Sequence, residues 1–180
     1  MLSVLRLLRQ DFRRKAEWCY QSTDWPALVK ACCTDGGAAM VIYRLMQWSR
    51  RRRLVPLEMF FNKLNSFLCN CVIGRGAEFG PGLVLIHCGG IVINGAVRGG
   101  CGVLLEHQVT LGAEDRQCPV IGDGVFIGAG AKVIGPVTLG DGARIGANAV
   151  VLTDVPPGAT AVGVPARIVV GDDDAREMAA

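Results

Sequence analysis

A single period runs from residue 73 to residue 151 of this 180-residue chain. Taking every sixth residue gives Ile73, Phe79, Leu85, Ile91, Val97, Val103, Val109, Asp115, Ile121, Ile127, Val133, Leu139, Ile145 and Val151, thirteen of the fourteen apolar. Glycine follows at 74, 80, 122, 128, 140 and 146, and the residue two before is mostly small or valine, as at Cys71, Ala77, Cys101, Val125, Ala131, Val137, Ala143 and Ala149. Neither a helical nor a simple strand period holds a six-residue register over that length, so this segment is a repeat structure. The physical solution is a coil of short strands. Each repeat forms one side of a prism, one large aliphatic and the small residue two positions earlier share the interior, and glycine allows the tight corner.

Composition fits that reading. The chain is 51% apolar yet carries 24 glycines, and 19 of these lie between residues 73 and 152. The apolar content excludes disorder, and the lack of glycine at every third residue excludes collagen. Its most apolar stretch, Gly82 to Val97, contains His87, Gly89, Gly90, Asn94 and Gly95 and is not a spanning helix. The opening MLSVLRLLRQDFRRK lacks a long apolar core and a small-residue cleavage site, so a cytoplasmic location is expected. Eight cysteines (19, 32, 33, 69, 71, 88, 101 and 118) form no CxxC pair and only two histidines accompany them. They read as reduced thiols in small core positions, with no metal site.

The N-terminal third is different in kind. Residues 1–53 hold 11 Lys/Arg against 4 acids, and ten of the 11 aromatics precede residue 80. Leu2, Leu5, Leu8 and Phe12 recur at helical spacing with arginines off that stripe. A second helix is predicted from Trp25-Pro26 to the breaker Thr34-Asp35-Gly36-Gly37, and further helices over Ala38–Gln47 and Leu57–Leu68. The run Arg50-Arg51-Arg52-Arg53 between them has two open readings: a solvated helix end, or peripheral contact with the inner face of an anionic membrane. No nucleic-acid motif accompanies the charge. The expected organisation is a helical segment over 1–68, the coil domain over 69–170 and an acidic tail over 171–180, whose Asp172-Asp173-Asp174 is read as solvating.

Function should lie where the repeat breaks. One break surrounds His87, Cys88, Gly89 and Gly90; the other runs from Glu106-His107 through Asp115-Arg116 to Pro119. His107 stands where the repeat prefers a small residue, and Asp115 is the one polar residue in the aliphatic register. Such groups cost burial energy unless exposed or hydrogen-bonded. The two histidines are one 18-residue coil plus two apart, so they are expected on neighbouring coils near one edge, and Cys88 is read as a small turn residue.

The pattern [LIV]-G-x-x-[small]-x resembles the hexapeptide-repeat acyltransferases. The resemblance implies a mainly β fold: a left-handed parallel β-helix of about four to five coils behind a short helical N-terminus. From Phe79 to Ala113 and Pro119 to Val169 the chain is similar to serine acetyltransferases, with His87 at their catalytic histidine and the stretches IGAGAKVIG, IGANAVVL, DVPP and AVGVPARIV. The acid directly before that histidine is Ile86 here, the acid 15 residues upstream is Val72, and the DRHP loop reads DRQCP. Val41-Ile42-Tyr43-Arg44, the strand His87 to Asn94, His107 before Val109-Thr110, and Cys118 to Gly124 look closer still to the capsule and exopolysaccharide branch, the colanic-acid type.

On that resemblance the leading expectation is acetyl-CoA-dependent O-acetylation of a sugar or polysaccharide precursor; the alternative is a serine or other small-hydroxyl acetyltransferase. A noncatalytic scaffold is the third reading, against which His87 and Pro165-Ala166-Arg167 argue. The resemblance implies His87 as general base, His107 assisting it, and Asn94, Glu106, Asp115 and Arg116 as acceptor-binding candidates. Acetyl-CoA would contact Ala113, Ala129 and Ala147 with its arm, and Pro165 and Arg167 with its nucleotide end, in a homotrimer with no metal.

Overall fold

The structure is a computed structural model that describes residues 3–169; the Asp172–Asp174 tail lies outside them. Four helices precede the coil: α1 (Val4–Tyr20), α2 (Trp25–Cys33), α3 (Gly37–Arg51) and α4 (Val55–Cys69). Ser3 and Asp24 cap α1 and α2 by accepting from the backbone N–H groups of Arg6 and Ala27. All four predicted helices form, and α3 runs into the arginine run rather than stopping at Gln47.

The coil is a left-handed parallel β-helix. Its first turn is β1 (Val72–Ile73), β2 (Glu78–Phe79) and β3 (Val84–Leu85); its second is β4 (Val92–Ile93), β5 (Arg98–Gly99) and β6 (Leu104–Leu105). The third is β7 (Thr110–Gly112), β8 (Val120–Ile121) and β9 (Phe126–Ile127), the fourth β10 (Lys132–Ile134), β11 (Thr138–Leu139) and β12 (Arg144–Ile145). A shortened fifth turn holds β13 (Val150–Val151) and β14 (Thr160–Val162), on which β15 (Arg167–Val169) folds back antiparallel. The three prism faces are the sheets β1-β4-β7-β10-β13, β2-β5-β8-β11 and β3-β6-β9-β12-β14-β15.

Register shows what a six-residue count conceals. Val72 lies opposite Val92, twenty residues on, whereas Val92 lies opposite Thr110 and Thr110 opposite Lys132, steps of 18 and 22. Two residues are therefore inserted in the first turn and four in the third. Together they restore one full repeat, so the every-sixth count regains register at Ile121. Between the insertions the true strand positions facing inward are Ile93, Gly99, Leu105 and Leu111, while Ile91, Val97, Val103 and Val109 occupy the site two residues earlier; apart from the glycine, all are buried. This corrects two expectations. Asp115 is not a polar residue in the interior but an exposed loop residue with φ of 46°, and His107 is a corner residue, not a misfit at a small-residue site.

The interior columns bury aliphatics completely, each contributing about 1.5–3 kcal/mol of transfer free energy. The sole aromatic in them, Phe79, fits because Gly99 lies opposite it on the next coil; a Cβ there would sit 2.2 Å from the Phe79 ring. The cysteines fit the core reading only in part: Cys71 and Cys88 are buried, but Cys19, Cys32, Cys33 and Cys101 are exposed.

Helix α3 closes the open end of the coil, as an exposed strand edge demands. Tyr43 Oη donates to the Ala77 carbonyl at 3.1 Å and accepts the Phe79 N–H at 3.1 Å. Arg44, fully buried, pairs with both carboxylate oxygens of Asp11 on α1 at 2.7 and 2.9 Å and donates to the Phe79 and Gly80 carbonyls. Asp11 in turn accepts the Gly82 N–H at 2.8 Å. A bidentate buried pair with further partners on the coil fixes two helices to one edge.

Candidate active site

The first insertion makes the site. The Ile86 N–H donates to the Leu105 carbonyl, and the Gln108 N–H donates to the Gly89 carbonyl. Leu85 lies opposite Leu105 and Val92 opposite Thr110, so seven residues advance one coil while five advance the next; His87 and Cys88 are the inserted pair, His87 projecting from the wall while Cys88 stays buried. His87 stands 56% exposed. Its ring centroid lies 6.1 Å from that of His107 on the next coil, at an interplanar angle of 76°. The two rings flank an open cleft of about 530 Å³, lined also by Asp35, Asn70, Gly89, Gly90 and Gln108.

Asp35 comes from the helical segment. One carboxylate oxygen is 3.2 Å from His87 Nδ1, and the other accepts from Cys88 Sγ at 3.2 Å and from the Gly36 N–H at 2.9 Å. Burial acts against its charge, but these hydrogen bonds from Cys88, His87 and the backbone outweigh it and hold the carboxyl below the ordinary aspartate value. Burial and the neighbouring Asp35 carboxylate push the Cys88 thiol up to about 11. It is therefore a neutral donor at physiological pH and not a nucleophile.

The remaining candidates separate into three groups. Glu106 Oε2 is 3.6 Å from His107 Nδ1. His107, Ala129 and Ala147 stack on one corner: the Gly130 N–H donates to the His107 carbonyl and the Asn148 N–H to that of Ala129. A straight row thus leads from the cleft along the coil axis. Ala113, Asp115 and Arg116 lie at the far end of β7, across the face from that corner, and do not line the cleft. Nor does Asn94, whose side chain accepts the Ala96 N–H in its own turn. Pro165 and Arg167 are exposed around β15, at the C-terminal end of the coil. Among the described residues no cluster of three metal-ligating side chains occurs.

Sequence reasoning missed Asp35, which appeared only as a helix breaker 52 residues from His87. The one available signal was an acid followed by two glycines at a helix junction.

A parallel β-helix with a histidine cleft at a corner defines the class of hexapeptide transferases, and residues 118–153 match the bacterial transferase hexapeptide family (six repeats). The serine acetyltransferase of Helicobacter pylori is 40% identical over 138 residues, 74% of this chain and 81% of its own. Mitochondrial serine acetyltransferase 3 of Arabidopsis thaliana is 42% identical over 131 residues, 71% of this chain but 33% of its own, so the chain spans about a third of that relative. A solved serine acetyltransferase in complex with CoA superposes with a TM-score of 0.85 at 32% identity, covering 93% of this chain and 70% of that one.

The chain belongs to the serine acetyltransferase family. This corrects the expectation that the colanic-acid branch is closest and that a sugar is the acceptor: relatives at about 40% identity carry the serine acetyltransferase name, as do the structural neighbours. The residues that resemble the sugar branch have structural duties. Tyr43 and Arg44 dock α3 on the coil, and Asn94 closes a turn.

Proposed function

We propose that the protein transfers the acetyl group of acetyl-CoA to the hydroxyl of L-serine in the His87 cleft. The observation that carries this reading is the outward pair His87 and His107 on adjacent coils, at the foot of the corner row leading to Ala129 and Ala147. His87 Nε2 takes the hydroxyl proton as the serine oxygen attacks the thioester carbonyl. The new C–O bond forms, the C–S bond breaks from the tetrahedral intermediate, and the imidazolium returns the proton to the departing CoA thiolate. His107 lies where it can hold the acceptor against His87, and the Asn70 and Gln108 amides add polar contacts at the rim. The CoA arm follows the Ala129–Ala147 corner, with Arg167 as phosphate partner at the far end.

A homotrimer is the proposed assembly. Val72 and Val92 stand outward and paired beside the cleft, about two-fifths exposed, an aliphatic strip that a second copy could cover, and Arg116 is exposed at the opposite corner of that face, away from its own cleft. A monomeric mass by light scattering would remove that proposal. Membrane contact through exposed Arg51, Arg52 and Arg53, beside Leu54 and Val55, is supported by charge and exposure; absence of binding to phosphatidylglycerol vesicles at low salt would remove it.

CoA release measured against L-serine, homoserine and a panel of nucleotide-linked sugars tests the acceptor. Saturable release with serine is expected. Release only with sugars, or none from protein that binds acetyl-CoA, overturns the reading.

A further inference from the structure

The bond between His87 and the helical segment is more specific than packing requires. No residue adjacent to His87 in its own coil offers a carboxylate: Ile86 is buried among Val84, Leu104 and Phe126, and Val72 is apolar. The carboxylate comes instead from the turn joining α2 to α3, and that turn is anchored at three points. Gly36 adopts φ of +80° and lies so close to the coil that a Cβ on it would sit 2.1 Å from the Leu85 carbonyl oxygen, two residues before His87. Lys15, buried on α1, donates from Nζ to the Asp35 carbonyl. Cys88, the second inserted residue, donates to Asp35 Oδ1. Both carboxylate oxygens are thereby assigned, one to the anchor and one to the histidine.

We propose that Asp35 is the positioning residue of His87: it accepts the Nδ1 proton, which fixes the tautomer with Nε2 bare toward the cleft and stabilises the imidazolium formed during transfer. The inference rests on His87 being the general base of the proposed reaction. Its consequence is that the helical segment is part of the catalytic apparatus and not an appendage, with Lys15, Gly36 and Cys88 holding one carboxylate in place. An imidazole free to rotate or to carry its proton on Nε2 presents no base to the acceptor.

The test compares Asp35→Ala, Asp35→Asn, Asp35→Glu and His87→Ala in the full chain, with melting curves to show folding and acetyl-CoA affinity as a control. Loss of the partner should lower kcat about 10–100-fold with KM for acetyl-CoA within about twofold, in the range for removing groups that orient a functional histidine. Asp35→Glu should recover part of that loss. The chain has only two histidines, so 15N spectra resolve the His87 ring directly. The Nδ1–H form is expected in the native protein and the Nε2–H form, which free imidazole favours, in Asp35→Ala. If His87→Ala is inactive while the Asp35→Ala tautomer and kcat match wild type, the positioning role is overturned and the base assignment stands. If Asp35→Ala fails to fold, kcat of Asp35→Asn within twofold of wild type overturns it equally. Full activity of His87→Ala sinks the underlying reading instead.

Discussion

Two halves of the β-helix are built from the same repeat and differ in regularity. Between Val120 and Val151 the paired strands step by 18 residues, as Val120 does opposite Thr138, Phe126 opposite Arg144 and Lys132 opposite Val150. From Val72 to Val120 the steps are 20, 18 and 22. The regular half is a wall: aliphatics inward, glycine at corners, no titratable pair. In the irregular half the two extra residues are His87 and Cys88, which set an imidazole outside the wall, and the four extra residues form the exposed loop that carries Asp115 and Arg116. A repeat that satisfies its own hydrogen bonds and buries its own side chains leaves nothing free for chemistry, so chemistry appears where the count is broken.

That contrast predicts that substitutions in the irregular half change rate, and those in the regular half change stability. The largest effect expected is from His87→Ala, which should lower kcat about 10²–10⁴-fold with only a small shift of the melting temperature; a loss of folding with full specific activity in the remaining protein would break the contrast. Next is Arg44→Ala at the helix–coil junction. Removing one partner of a buried ion pair leaves Asp11 uncompensated, at a cost of about 3–5 kcal/mol in urea unfolding. Leu139→Ala in the regular half should cost about 2–5 kcal/mol through its cavity, while kcat/KM in the folded fraction stays within about twofold. A fall in rate at unchanged stability would show the regular half to be more than a wall.

The smallest effect is a pH dependence. Asp35 titrates below its unfolded value, so its contribution to stability is present above pH ~4 and is lost as pH falls through the lower folded value. The difference in unfolding free energy between wild type and Asp35→Asn should therefore shrink as pH falls below about 4. A difference that grows as pH falls below about 4 would contradict the hydrogen bonds assigned to Asp35.

The fold was legible because a six-residue period has one compact solution, and the N-terminal helices were legible from their own spacing and caps. Register was not. Insertions of two and four add to six, so counting from Ile73 reaches Ile121 in phase and hides both, and the count puts Asp115 in the interior column although it sits in the added loop. His87 and His107 stood out as polar breaks in an apolar pattern. Asp35 did not, because its partner is 52 residues away and the contact depends on Gly36 approaching the Leu85 carbonyl, which no local pattern encodes. The serine acetyltransferase family is masked in the sequence for a related reason: positions 72 and 86 carry no carboxylate, and the one beside His87 is supplied by a different part of the chain.

The most direct test of the account is the product formed from acetyl-CoA and L-serine, followed by mass spectrometry for wild type and His87→Ala at matched acetyl-CoA occupancy. Serine-dependent formation of O-acetylserine by the wild type, reduced at least 10²-fold in the variant, is the result the account predicts. No acetylated serine from wild-type protein that binds acetyl-CoA, or equal product from both proteins, would contradict it.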